Sequence, residues 1–154
     1  MKRIVLLSIV VAALLLLTAC GTPAEAQPVP ANSSANQPAS SGNGTEVDVT
    51  LADNTIQSSL TTFKAGVPYR FVIINNGTHQ HNFNINPPAD IAGGLDQALA
   101  KALLTVDQGQ LPLGGGTTVT YTFPASAVGQ KLEMSCLIKR HYEDGMRLQI
   151  TVTN

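Results

Sequence analysis

The chain has 154 residues, with nine Lys and Arg against ten Asp and Glu and a formal net charge of −1. No run of one charge is longer than two residues. That balance, with no basic stripe, excludes a nucleic-acid binder that tracks phosphates.

Met1 to Ala19 reads as an export leader, with Lys2 and Arg3 before an almost unbroken apolar stretch from Ile4 to Leu17. At about 14 residues that stretch is short for a membrane-spanning helix, which needs roughly 20. Leu17-Thr18-Ala19-Cys20 resembles the lipobox of bacterial lipoproteins. The resemblance implies cleavage before Cys20, which then carries the acyl chains that hold the protein on a lipid bilayer. Several such chains anchor stably where one binds only marginally. An ordinary leader cut nearby, with Cys20 incidental, is the alternative. Loss of Lys2 and Arg3 leaves seven basic residues against ten acidic, a net charge near −3.

Residues 20–44 form a linker of Pro, Ala, Ser, Asn, Gln and Gly with one charge, Glu25. Such a segment buries too little apolar surface to offset its ordering entropy. Its reach as a coil is on the order of 25–30 Å, enough for a leash that lets a domain search while held at a surface.

Residues 45–154 read as one domain, and from Thr45 the hydrophobic period is two. Val47, Val49 and Leu51 alternate with Glu46, Asp48 and Thr50, a half-buried strand. Asp53-Asn54 supplies turn chemistry, Ile56 to Phe63 a weaker extended piece, and Val67 to Ile74 the most apolar strand. Asn75-Asn76-Gly77 is a turn signal, His79 to Ile85 returns as a strand, and Pro87-Pro88 ends it. Across Asp90 to Val106, Leu95, Leu99 and Leu103 recur at helical spacing and predict one short amphipathic helix packed on the sheet. The Gly-rich loop Leu111 to Gly116 lacks the Lys-Ser/Thr sequel of a phosphate loop. Alternation resumes over Thr117–Phe123, Lys131–Cys136 and Met146–Val152. Seven or eight short strands in this length predict an all-β, antiparallel Greek-key sandwich with one inserted helix.

The chemistry concentrates in Cys136-Leu137-Ile138-Lys139-Arg140-His141-Tyr142-Glu143-Asp144-Gly145-Met146. A thiol, an imidazole and a thioether stand four residues apart and then four again, in a chain with three His and three Met. His81-Asn82 lies 55 positions upstream of Cys136. If Cys20 is lipidated, Cys136 has no partner, and a leftover thiol in an oxidising compartment is buried, reactive or metal-bound. Taken singly, Cys136 reads as a small buried hydrophobe, Met146 as core filler and each His as a satisfied surface or core group. Met134 is assigned to the core. Together, one Cys and two His with a weak axial Met form the ligand set of a blue-copper centre.

The spacing Cys-x4-His-x4-Met after an earlier His-Asn resembles the cupredoxin family, particularly its auracyanin- and rusticyanin-like members, over about residues 45 to 154. The resemblance implies one copper ion cycling between Cu(I) and Cu(II), with His81 and His141 as equatorial imidazoles, Cys136 as the thiolate and Met146 as the axial thioether. It also implies that Asn82 tethers the two ligand loops near the sulfur. His79, two residues before His81, is the alternative imidazole, but only His81 is followed by Asn. A single domain cysteine argues against a dinuclear site, which needs two in this loop. Many relatives carry Pro-Gly where this chain has Lys139-Arg140, which suggests docking to an acidic or anionic partner. The functional expectation is a non-enzymatic, lipid-anchored, extracytoplasmic electron carrier serving membrane-bound or extracytoplasmic redox proteins. Copper delivery is the alternative, and a catalytic copper site is disfavoured by an axial Met146.

Overall fold

Residues 44–154 are described by the structure, a computed structural model; the expected leader, Cys20 and most of the linker lie outside the described residues. In chain order the strands are β1 (Thr45–Ala52), β2 (Thr55–Ser58), β3 (Thr62–Lys64), β4 (Pro68–Asn75), β5 (Phe83–Asn86), β6 (Leu104–Val106), β7 (Gly116–Thr122), β8 (Leu132–Ser135) and β9 (Arg147–Thr153). Three short helices are interspersed: α1 (Ala89–Ala92), α2 (Leu95–Ala100) and α3 (Lys139–Glu143). One sheet runs β2-β1-β4-β7 and the other β3-β9-β8-β5-β6. Val47, Val49, Phe71 and Ile73 of the first meet Phe63, Phe83, Ile85, Leu132 and Met134 of the second in one buried core. The period-two pattern of β1 is the direct cause of its half of that core, because successive side chains point to opposite faces. Among the described residues no helix is long and apolar enough to cross a membrane.

The sandwich is mixed rather than antiparallel throughout. β1 runs parallel to β4, with Thr45 opposite Tyr69 and Leu51 opposite Asn75, and β3 runs parallel to β9. The cause lies in the segment expected as one piece from Ile56 to Phe63. It is split: β2 pairs back on β1, and the chain then crosses to the other sheet as β3. Ser58 Oγ donates to the Leu60 carbonyl at 2.7 Å, and Ser59 Oγ accepts from the Asp48 amide at 2.9 Å. These local side-chain bonds stand in for ladder bonds and bend the chain between sheets.

The single helix expected within Asp90–Val106 is two helices and a strand. Gly93 and Gly94, at φ of 101° and 122°, end α1 and reset the direction for α2. Leu95 packs on a small cluster with Ala89, Ala92, Ala98, Leu137 and Tyr142, Leu99 is exposed, and Leu103 joins the main core. The leucine stripe therefore serves three environments.

This insertion explains why β5 and β8 are buried on both faces. Phe83, Ile85, Leu132 and Met134 face the sandwich, while Asn84, Asn86, Glu133 and Ser135 point the other way and are buried too. On that face Ser135 Oγ donates to Asn86 Oδ1 at 2.7 Å, and Asn86 Nδ2 reaches Glu133 Oε1 at 3.5 Å. The Ala89 amide donates to the Tyr142 hydroxyl at 2.9 Å, tying α1 to α3. Buried polar groups on this face find partners because unpaired ones are costly, Asn84 Oδ1 being the exception.

Candidate metal centre

Two segments meet at one end of the sandwich, and the sequence explains why each is there. The strand expected over His79–Ile85 begins only at Phe83, since polar side chains hold the preceding residues as a loop. Asn75 Nδ2 donates to the His79 carbonyl at 3.1 Å, its Oδ1 accepts from the Gly77 amide at 3.0 Å, and the Asp53 carboxylate accepts from the Thr78 and His79 amides. In the second segment, β8 delivers Cys136 into the core. One turn of helix, α3, then folds the chain back so that Met146 N–H donates to the His141 carbonyl at 2.9 Å. The Cys136 amide in turn donates to the Met146 carbonyl at 3.1 Å, which closes the loop as β9 begins.

His81, Cys136 and His141 converge. Cys136 Sγ lies 3.9 Å from His81 Nδ1 and 3.6 Å from His141 Nδ1, and the two Nδ1 atoms are 3.1 Å apart. Bonds of about 2.3 Å to sulfur and 2.0 Å to nitrogen in a trigonal plane need donor separations near 3.7 Å for S–N and 3.5 Å for N–N, so the three donors fit one metal ion. Cys136 and His81 are fully buried and His141 is partly exposed. Met146 is fully buried in the same core as Cys136. His79 lies outside the group; its exposed ring faces Asp53, with Nδ1 3.0 Å from Oδ1.

Protonation is set by burial. Burial pushes the Cys136 thiol above its ordinary value, and hydrogen bonds from the Ile138 and Asn82 amides partly oppose this. Burial also lowers His81, reinforced by the nearby charge of His141. Without a cation these surroundings favour a neutral thiol and a neutral imidazole, and a cation that binds here displaces the thiol proton. Asp53 is the reverse case: hydrogen bonds from Thr78 and then His79 hold it well below the usual carboxylate range, so it stays ionised.

Asn82 bridges the two segments. Its Oδ1 accepts from the Leu137 amide at 2.8 Å and from Asn84 Nδ2 at 2.9 Å. Two contributors went unread in the sequence. Asn84 holds Asn82 from the strand, and Asp53, read only as turn chemistry, lies 3.3 Å from His81 Nε2. Spacing does not reveal the Asp53 contact, which depends on how separate strands are brought together. The Asn84–Asn82 contact is local, but the bond from Asn84 Nδ2 to the Ser135 carbonyl at 3.3 Å that fixes Asn84 needs β5 beside β8. Lys139 and Arg140 are exposed at the start of α3. Arg140 shares the rim of a recess of about 300 Å³ over the histidines with Asp53 and Asp144, so the rim carries both signs.

No protein-family model matches the chain, and no curated protein matches it. Solved structures do. The fold is similar to that of dithionite-reduced auracyanin from the photosynthetic bacterium Roseiflexus castenholzii, with a TM-score of 0.56 and 20% identity, covering 73% of this chain and 100% of that one. The copper protein rusticyanin is similar with a TM-score of 0.55 and 19% identity, over 73% of this chain and 80% of that one. Reduced rusticyanin in solution gives a TM-score of 0.53 and 18% identity, over 73% and 79%. Residues 44–154 of this chain thus have the fold of the cupredoxins.

Proposed function

We propose that this protein is a membrane-tethered, mononuclear blue-copper electron carrier, in which His81, His141 and Cys136 would hold the ion and Met146 would supply a weaker thioether ligand. The observation that carries this reading is a buried thiol and two imidazole nitrogens all within 3.9 Å of one another. One thiolate and two imidazoles form the trigonal donor set of type 1 copper. Copper, when bound, supplies a one-electron couple between Cu(II) and Cu(I). Cys136 gives up its proton on loading and remains a thiolate in both states. Asn82, α3 and the ends of β5 and β8 hold the donors, so little rearranges when the electron moves. The thioether of Met146 and the apolar surround favour the lower charge. His141, partly exposed, is the edge against which a partner docks.

Addition of Cu(II) is expected to give an intense visible thiolate-to-copper band that bleaches on reduction, returns on reoxidation and is absent in Cys136→Ser. A colourless complex that surrenders its metal readily would instead make this a delivery protein. The tether rests on the leader, Cys20 and the linker; Cys20→Ser is expected to move the protein from the membrane to the soluble fraction. Lys139 and Arg140 beside His141 support docking to an acidic redox partner. Electron-transfer rates should then fall as salt rises, and the double change to Ala should flatten that dependence.

A further inference from the structure

The polar surroundings of His81 on its far side are not explained by ligation. We propose that Asp53 is the positioning residue of this centre: its carboxylate accepts the hydrogen bond of His81 Nε2–H, which holds the proton there and leaves Nδ1 free toward Cys136, in a space that Gly77 keeps open. The proposal rests on the copper-centre reading and adds what aims its most buried imidazole.

A neutral imidazole has one N–H and one lone pair, and a carboxylate only accepts. With Asp53 Oδ1 3.3 Å from Nε2, the proton of His81 sits on Nε2. The 3.1 Å contact between the two Nδ1 atoms then requires that His141 donate and His81 accept in the metal-free protein. His141 is the partly exposed ring, so solvent can take that proton from Nδ1 and return one to Nε2 on loading, leaving the ring neutral with Nδ1 free.

Asp53 does not swing freely. The Thr78 amide donates to Oδ1 at 3.1 Å and to Oδ2 at 3.2 Å, and the Thr78 hydroxyl donates to Oδ2 at 2.6 Å. The His79 amide reaches Oδ1 at 3.3 Å and His79 Nδ1 lies 3.0 Å away. The turn that carries Asp53 is set by Asn54, whose φ is 62°.

Gly77 is an independent pointer to the same contact. A Cβ there would lie 2.6 Å from His81 Nε2 and 2.7 Å from Asp53 Oδ1. Gly77 is not among the positive-φ residues, so backbone conformation does not demand glycine. Space does, and the space is that of the carboxylate–imidazole pair. A carboxylate on the outer nitrogen fixes the tautomer and raises ligand basicity. It therefore favours Cu(II), against the pull of Met146 and burial.

The test compares wild type with Asp53→Asn and Gly77→Ala. In metal-free protein, ring 15N shifts should show His81 as the Nε2–H tautomer, and this preference should weaken in Asp53→Asn, whose neutral amide oxygen is a poorer acceptor. Affinity for Cu(II) and for Zn(II) should fall about 10–100-fold in both variants, and the reduction potential of the copper form should rise. If Gly77→Ala fails to fold, Asp53→Asn decides alone. An unchanged tautomer, affinity and potential in Asp53→Asn would overturn the role of Asp53. Wild type that shows the Nε2–H tautomer but no thiolate-to-copper band would sink the carrier reading while leaving the positioning contact standing.

Discussion

Asn82 shows what one oxygen does here. It accepts from the Leu137 amide, one residue past the thiol, and so latches the histidine segment to the cysteine segment. Asn82→Ala leaves that amide without its acceptor and takes one of two from Asn84 Nδ2, which keeps the Ser135 carbonyl at 3.3 Å, while Asn84 Oδ1 already lacks a partner in its buried setting. Stranding such a donor costs about 1–3 kcal/mol. Chemical denaturation should show a loss of that size, with a smaller one in Asn82→Asp, which keeps an acceptor. At this scale the sequence is informative wherever a residue type is scarce and chemically loaded. One domain cysteine, and three histidines in the whole chain, made Cys136, His81 and His141 visible, and the fold brings these three together. Asp53 and Asn84 were not visible, because Asp and Asn are common and their work depends on partners 28 and 51 positions away.

At the scale of elements, periodicity revealed what faces one core and missed what faces two. β1 and β4 alternate cleanly, and their strands follow from the pattern. β5 and β8 carry polar residues that the pattern assigns to solvent, yet the helices bury them. α3 went unread, since one turn of helix in a loop has no period to detect. Glu133 is the ionisable one of these covered groups. Burial raises its carboxyl above the ordinary 4.5, and Asp90 of α1 adds to the rise. Tyr142 of α3, Arg147 of β9 and Asn86 of β5 pull the other way without cancelling it. The folded state thus holds this proton more tightly than the unfolded chain. The stability it contributes is present below the unfolded value and is lost as pH rises through the folded one. Glu133→Gln keeps the size and removes the titration. Its advantage over wild type in denaturation midpoint should therefore grow from mildly acidic to neutral pH, and a constant difference would contradict the assignment.

Across the whole molecule, β4 separates two jobs. Its eight residues span on the order of 20 Å, with Tyr69 near one end and Asn75 at the other. Asn75 braces the loop before His81, whereas Tyr69 belongs to an aromatic cluster in which Phe63 lies 5.0 Å from its ring and 4.9 Å from that of Phe123. Phe63 is fully buried on β3, the strand that crosses between sheets and clamps β9. Phe63→Ala should cost about 3–5 kcal/mol, a large share of the roughly 5–15 kcal/mol that holds a domain of this kind. The loss falls at the pole away from His81, Cys136 and His141, so the visible spectrum of the proposed copper form should not change. On the proposed reading a metal would act on the same balance from the other end, because His81 and the pair Cys136 and His141 come from two segments and assemble only in the folded state. At a free concentration of about 1,000 times the dissociation constant, binding adds about 4 kcal/mol. Copper should therefore restore much of what Phe63→Ala removes, with a melting temperature that climbs with metal concentration. In the double variant Phe63→Ala with Cys136→Ser that rescue should vanish, and rescue that survived the loss of the thiol would place the metal elsewhere.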